Sequence, residues 1–360
     1  MTFYQELQLN QAGSKEYIAS FKTPKEKLKH IGIYLFKIII TIAFCTAFIT
    51  LFSIIFGSSN SLAGLTVLLS MMAFRYSDFG IRTSHAIFCV FAVFGILAIG
   101  PKLSNYVPIG WAFCVNIICI LLLMLLGSHN IVMFNHSTFV LSYLLLQGYD
   151  VSGDAYKMRL IGLFAGAVIT AVILYHNHRK ITYKRSLKSL FQEFNLSSTR
   201  TRWQLSLTFG VSSVMLIAAI LEIPKAYWMG ITVMSVTWPF RNDLVERVKY
   251  RGLGSIAGSL SFLVVYLLLP ESCRSYLGII GGIGMGLSIH YGWQTAFNSF
   301  SALSIAVSVL GLKYAVLFRI FSNVFGSAYT WVFNRIFEPF LSVMSNQFEK
   351  LFFYKKIHNN

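Results

Sequence analysis

Acidic side chains are scarce in this chain. Asp and Glu number 13 in 360 residues, against 30 Lys and Arg. None of them falls in the middle of an apolar run, so the sequence offers no mid-membrane carboxylate of the kind that carries protons in coupled pumps. Charge of either sign is low. It makes up 12% of residues, where a soluble domain carries roughly a quarter. Cysteine is sparse too. Cys45, Cys89, Cys114, Cys119 and Cys273 form no CxxC or metal-type spacing, and four lie inside apolar runs. This excludes a zinc ribbon or a dithiol redox centre and leaves small buried hydrophobes. There is no HExxH, no GxSxG and no pair of acids on a loop. GIIGGIGMG at 278–286 lacks the Lys-Ser/Thr ending of a phosphate loop. We therefore expect no enzyme, no cofactor and no metal. The first 30 residues have no apolar h-region, so no cleavable leader is expected and the first span directs insertion.

Apolar surface is abundant. Hydrophobic residues make up 56% of the chain, more than one soluble core hides, so lipid is the solvent for much of it. The net charge of +17 does not read as a nucleic-acid footprint, because the basic residues crowd the ends of long apolar runs. Apolar segments fall at 31–57, 60–75, 83–100, 107–127, 134–149 and 157–176, then at 204–222, 226–240, 251–269, 273–290, 293–310 and 313–334. The expected fold is an all-α integral membrane protein of about twelve transmembrane helices, arranged as two parallel six-helix repeats. The domain plan is a cytoplasmic tail over 1–30, a first repeat over 31–176, a basic cytoplasmic linker over 177–203, a second repeat over 204–335 and an amphipathic cytoplasmic tail over 336–360. Within the linker, Leu187, Leu190, Phe191 and Phe194 sit at near-helical spacing, as in a helix lying on the membrane surface.

Basic-residue placement sets the orientation. With both chain ends inside, only Lys102, Lys157, Arg159, Lys225, Arg274, Lys313 and Arg319 face outward. Two internal matches support the repeat. GLTVLLSMMAFR (64–75) aligns with GITVMSVTWPFR (230–241), and RLIGLFAGAVIT (159–170) with RIFSNVFGSAYT (319–330), at offsets of 166 and 160 positions. The first pair lies on the second expected helix of each half, the second on the sixth. Six helices per half bring both copies in from the same side, so their interface is a natural substrate path.

Arg159 and Arg319, equivalent across the repeat, start the sixth and twelfth spans. They read either as snorkelling anchors or as a pair of anion-attracting cations facing the path. Arg75, Arg241 and Lys37 read as cytoplasmic-end anchors. Polar residues gather at the start of the fifth and eleventh spans: Asn135, His136 and Thr138, and Gln294, Thr295, Asn298 and Ser299. They line a hydrated path or make polar helix contacts. His85, His136 and His290 are the titratable candidates near the inner boundary. Gly254/Gly258, Gly278/Gly282 and Gly162/Gly166 are GxxxG pairs that permit close helix approach.

The stretch 228–270 resembles the fusaric acid resistance protein-like family of membrane transporters. Its pattern is an aromatic, an aliphatic-Thr pair, then Arg-xxx-Arg-xx-Gly-Ser-xx-Gly. Here these are Trp228, Ile231-Thr232, Arg247, Arg251, Gly254-Ser255 and Gly258, with Arg241 closing the eighth span. The first half keeps Gly64, Thr66 and Phe74-Arg75 but loses the paired glycines over 81–95. The linker is short beside the large cytoplasmic region of many relatives. The resemblance implies export of small organic anions, often aromatic carboxylates, across the plasma or inner membrane. Loose kinship to plant anion channels that dimerise implies a homodimer and keeps an anion channel as the rival. A non-transporting scaffold for envelope assembly is the other rival. The expected partners are the lipid bilayer, an organic anion and a second copy of the chain, with no nucleic acid.

Overall fold

The computed structural model describes residues 1–133, 135–239 and 241–358, with side chains described throughout except at 241–243 and 348–358. Among these residues the chain is helical and contains no strand. Two short helices, α1 (Phe3–Gln8) and α2 (Gln11–Ser20), precede the first apolar helix, α3 (Pro24–Phe56). Then come α4 (Ser61–Ala73), α5 (Thr83–Tyr106), α6 (Ile109–Gly127), α7 (His136–Gly148) and α8 (Gly153–His178). The linker carries α9 (Leu187–Gln192). The later part holds α10 (Thr199–Ile220), α11 (Tyr227–Val236), α12 (Arg241–Leu268), α13 (Glu271–Arg274), α14 (Leu277–Leu287), α15 (Tyr291–Leu310) and α16 (Leu312–His358).

Among the described residues, six helices are long and apolar enough to cross a membrane: α3, α5, α6, α8, α10 and Leu244–Leu268 of α12. Large apolar side chains such as Ile54, Phe164, Val172 and Leu267 are exposed along them, as lipid-facing residues should be. The other expected spans differ for identifiable reasons. Helices α4 and α7 have 13 residues, α11 has 10 and α14 has 11. At 1.5 Å per residue, a 13-residue helix reaches about 20 Å, short of a hydrocarbon core about 30 Å thick. Local chemistry stops them. After α4 the chain turns at Gly80, in the left-handed region at φ 68°, while Asp78 Oδ1 accepts the Gly80 N–H at 2.7 Å. Helix α11 stops before Pro239, which has no N–H to continue the ladder and pushes Trp238 out of the α region. After α14, His290 Nδ1 accepts the Gly292 N–H at 3.2 Å and starts α15 afresh. Helix α15 is long enough, at 20 residues, but its apolar run is diluted by Gln294, Thr295, Asn298 and Ser299.

Two compact units emerge, Met1–Phe48 with Glu246–Val324 and Ile49–Val245 with Phe325–Asn360. Their boundaries fall inside α3, α12 and α16, so each unit takes segments from both expected halves. In the first unit α15 packs between glycine-bearing faces. A Cβ on Gly254 of α12 would stand 2.5 Å from Gly292 O, and one on Gly258 2.5 Å from Ala296 Cα. On α14, a Cβ at Gly281 would stand 2.8 Å from Ser301 N. The N-terminal helices hold this unit's polar end. Lys15 Nζ donates to Leu287 O at 2.6 Å, and Tyr34 OH to Gly286 O at 2.7 Å, so both serve carbonyls at the α14 C-terminus. Lys37 donates to Leu9 O at 2.9 Å and to Ser14 Oγ at 2.6 Å.

The second unit is a bundle of α4 to α8 with α10 and α11. Helix α7 contacts α4, α5, α6 and α11. Helix α10 is the most buried of the long apolar helices in this unit, with Trp203, Leu207, Val211 and Val214 enclosed. The surface helix expected in the linker is one and a half turns long, with Leu190 buried and Phe191 and Phe194 exposed. The last expected span and the tail over 336–360 run together, because α16 continues through Pro339 to His358.

Candidate functional site

Among the described side chains three buried arginines break the apolar pattern: Arg159, Arg251 and Arg319, each 3% exposed or less. Arg159 sits on α8 in the second unit. Its Nε donates to Asn60 Oδ1 at 3.0 Å and its Nη2 to Tyr149 O at 2.9 Å, with longer contacts to Ser59 O and Leu146 O. It thereby serves carbonyls left open at the α7 C-terminus and ties them to the 3-10 turn before α4. All four acceptors are neutral, and the carboxylate whose field reaches the guanidinium is Asp150, itself paired with Lys102 at 2.9 Å. Arg251 sits on α12 in the first unit. Its Nε and Nη2 make no hydrogen bond among the described residues. Ser255 and Ser259 follow at four-residue steps on the same helix face, fully buried, and neither Oγ is hydrogen-bonded among the described residues. Arg319 lies on α16, also in the first unit, with Asn323 Nδ2 donating to its carbonyl at 2.8 Å.

The other candidates are placed as follows. In the second unit Asn135 is buried and donates to Asp78 O at 3.0 Å. His136 packs edge-on to Trp203, centroids 4.7 Å apart. Thr138 is half-buried. In the first unit Gln294 donates to Ser288 O at 2.9 Å, Thr295 is buried and back-bonds to Tyr291 O at 3.0 Å, and Asn298 is half-buried. Of the motif residues, Trp228 is buried and Thr232 Oγ1 donates to Trp228 O at 2.9 Å. The Arg247 guanidinium lies 4.7 Å over the Tyr291 ring. Arg241 opens α12, and its side chain lies outside the described set. Gly254 and Gly258 make the close approach to α15 already described.

A pocket that sequence reading missed lies in the second unit. It measures about 500 Å³ and opens where α5 ends, α6 begins, α7 and α10 end and α11 begins. Its polar wall is built on Asn116, 4% exposed on an otherwise apolar helix. Asn116 Oδ1 accepts from Ser104 Oγ at 2.9 Å and from Tyr143 OH at 2.7 Å, and Gln147 Nε2 donates to Ser104 Oγ at 2.8 Å. With Oδ1 taken, the Nδ2 donor is the amide's remaining polar group. Gln147 Oε1 is buried without a partner. Lys225 supplies the charge, its ammonium 4.6 Å over the Tyr149 ring, and burial lowers its pKa. Lys225 and Glu222 both stand in the left-handed region, at φ 56° and 51°, so this loop holds two strained turns beside the pocket. Phe113, Met215, Leu216 and Tyr227 form the apolar wall, and the Tyr227 ring lies directly on Gly148. No carboxylate is among the described lining residues. The signal was faint: one Asn on α6 and one Lys in a loop, far apart in sequence.

At the linker end of the same unit, Glu193 binds Arg185 at 2.8 Å, His129 at 3.1 Å and Arg200 at 3.3 Å. Desolvation first, then the Arg200 charge, push the buried His129 down from 6.5 to about 4, against the opposing pull of Glu193. The unfolded chain then binds a proton before the folded one does, so stability falls as pH drops through that interval. We expect the thermal midpoint of the detergent-purified protein to fall between pH 6.5 and about 4, with His129→Gln flattening that part of the profile. An unchanged profile in the variant rules out this linkage.

Among the described residues these features define a helical membrane protein with several apolar helices, buried arginines and a cationic pocket. Residues 213–333 match the family described as fusaric acid resistance protein-like, which bears out the resemblance read from 228–270. The chain is also similar to slr1298, an uncharacterised protein of Synechocystis. It is 29% identical over 145 residues, covering 39% of this chain and 19% of that protein. No solved structure matches.

Proposed function

We propose that this protein exports small organic anions, aromatic carboxylates among them, across the plasma or inner membrane, with both chain ends cytoplasmic and the chain acting as a homodimer. The observation that carries the reading is guanidinium groups buried among apolar helices in each of the two units. Arg159 and Arg251 are buried with no ion pair among the described residues. A guanidinium in hydrocarbon costs at least about 2.5–3.5 kcal/mol by insertion scales, so its retention points to an anion that benefits from it. In the second unit Arg159 supplies an attracting field and the polar residues at 135–138 a hydrated end; in the first unit Arg319 supplies the field, Arg251 with Ser255 and Ser259 a polar helix face, and the residues at 294–298 a hydrated end.

The two six-helix halves are related copies whose helices interleave within the second unit, where α10 packs on α6 and α11 on α7. Packing within the second unit supports the relation. A Cβ on Gly64 would meet Phe52 of α3 at 2.8 Å, and one on Gly230 would meet Met215 of α10 at 3.1 Å. In each case the second helix of a half rests on its first. Gly166 abuts Val67 and Gly326 abuts Thr232, so each sixth helix rests on its second at nearly matching positions. Thr66 and Thr232 both donate to the carbonyl four residues back.

A deletion strain loaded with labelled benzoate or 4-hydroxybenzoate is expected to retain it several-fold longer than the complemented strain. Equal retention of every anion tested removes export. Ohmic current through planar bilayers in place of saturable flux would make the protein a channel.

A further inference from the structure

We infer that the pocket around Lys225 is a binding site for an amphipathic monoanion that carries, besides its negative group, a hydrogen-bond donor. The inference deepens the export reading and rests on it for the role of the bound molecule, though binding itself is measured separately. Four observations converge. The volume, about 500 Å³, lies within the usual range for small-molecule sites. The charged and donor groups, Lys225 Nζ and the Asn116 Nδ2 left over by the Oδ1 network, suit a carboxylate. The lining residues include no acid to repel it. The opposite side, Phe113 and Tyr227 with neighbouring aliphatic groups, suits a flat apolar body.

The fourth observation narrows the ligand. Gln147 Oε1 is buried with no donor to accept from, while the Nε2 end of the same amide is held by Ser104. A buried acceptor is rarely left open. Reversing the amide would set an acceptor against Asn116 Oδ1. A hydroxyl or amine on the ligand supplies the missing donor, so an anion with that group should bind better than one without it. The same polar wall discriminates against neutral analogues, which leave the half-buried Lys225 unpaired.

Calorimetry on the full chain in detergent tests this with three probes: 4-hydroxyphenylacetate, phenylacetate and the uncharged 4-(2-hydroxyethyl)phenol. The first should bind tightest. Phenylacetate should bind about tenfold more weakly, the scale of one buried hydrogen bond, and the neutral probe weaker still. Lys225→Met should weaken 4-hydroxyphenylacetate by about tenfold or more while Lys225→Arg restores most of it. Gln147→Leu should abolish the preference over phenylacetate and leave the dependence on Lys225 intact. The site is overturned if no probe binds, or if wild type, Lys225→Met and Gln147→Leu bind all three alike. Efflux that persists in cells alongside that result removes the pocket and leaves export standing, whereas binding without efflux does the reverse.

Discussion

Gly258→Leu is expected to leave no folded, monodisperse protein. At this position α12 and α15 approach backbone to backbone, with a Cβ in place of the hydrogen already 2.5 Å from Ala296 Cα. Atoms of a helix backbone cannot rotate away as the end of a side chain can, so the two helices must separate. Overpacking a core costs about 1–3 kcal/mol when side chains absorb it, and prising two backbones apart costs more than that. It also uncovers the close packing that holds membrane helices together in the absence of a hydrophobic drive. Gly254, one turn earlier and 2.5 Å from Gly292 O by the same construction, should fail in the same way. At Gly252, on the same helix, an added Cβ meets nothing within 4 Å, so Gly252→Leu should behave as wild type. Size-exclusion profiles of the three variants decide the matter. A monodisperse Gly258→Leu peak at wild-type yield would show that α12 and α15 are further apart.

Arg159→Leu is expected to destabilise nearly as much, by a different route. It removes the donor set that serves Asn60 and the carbonyls of Ser59, Leu146 and Tyr149. Each buried acceptor left open costs about 1–3 kcal/mol, so several together consume much of a typical stability margin. Arg159→Lys should rescue little, because an ammonium is a point donor and cannot reach acceptors spread around a planar fork. Asn60→Leu, which removes one acceptor, should cost less than Arg159→Leu. The quantity to measure is the thermal midpoint in detergent. If Arg159→Leu melts with wild type, the residue is not the tie between α7, α8 and the turn before α4.

Much of the membrane character was legible in sequence because it rests on composition and run length. The apolar runs around α3, α5, α6, α8, α10 and α12 announce themselves, and Gly254 and Gly258 were marked for close packing before their neighbour was known. The short helices were less legible. Hydropathy joins 60–75 and 226–240 to their neighbours, while Asp78, Gly80 and Pro239 end them by turn chemistry that a hydropathy pattern does not weigh. Arg159 stands out in the sequence as a cation in an apolar run, yet its acceptors are carbonyls from chain segments 10 to 100 positions away, which no local pattern reveals. The pocket was hidden for the same reason. Asn116, Gln147 and Lys225 each look unremarkable alone, and only the packing of α6, α7 and α10 gathers them.

The organic-anion reading is tested most directly by flux through the purified chain. In proteoliposomes preloaded with unlabelled 4-hydroxybenzoate, labelled 4-hydroxybenzoate should enter transiently above equilibrium, saturably, and should be inhibited by benzoate but not by benzyl alcohol. Uptake no faster than in protein-free liposomes, across a panel of aromatic and aliphatic carboxylates, would contradict the account.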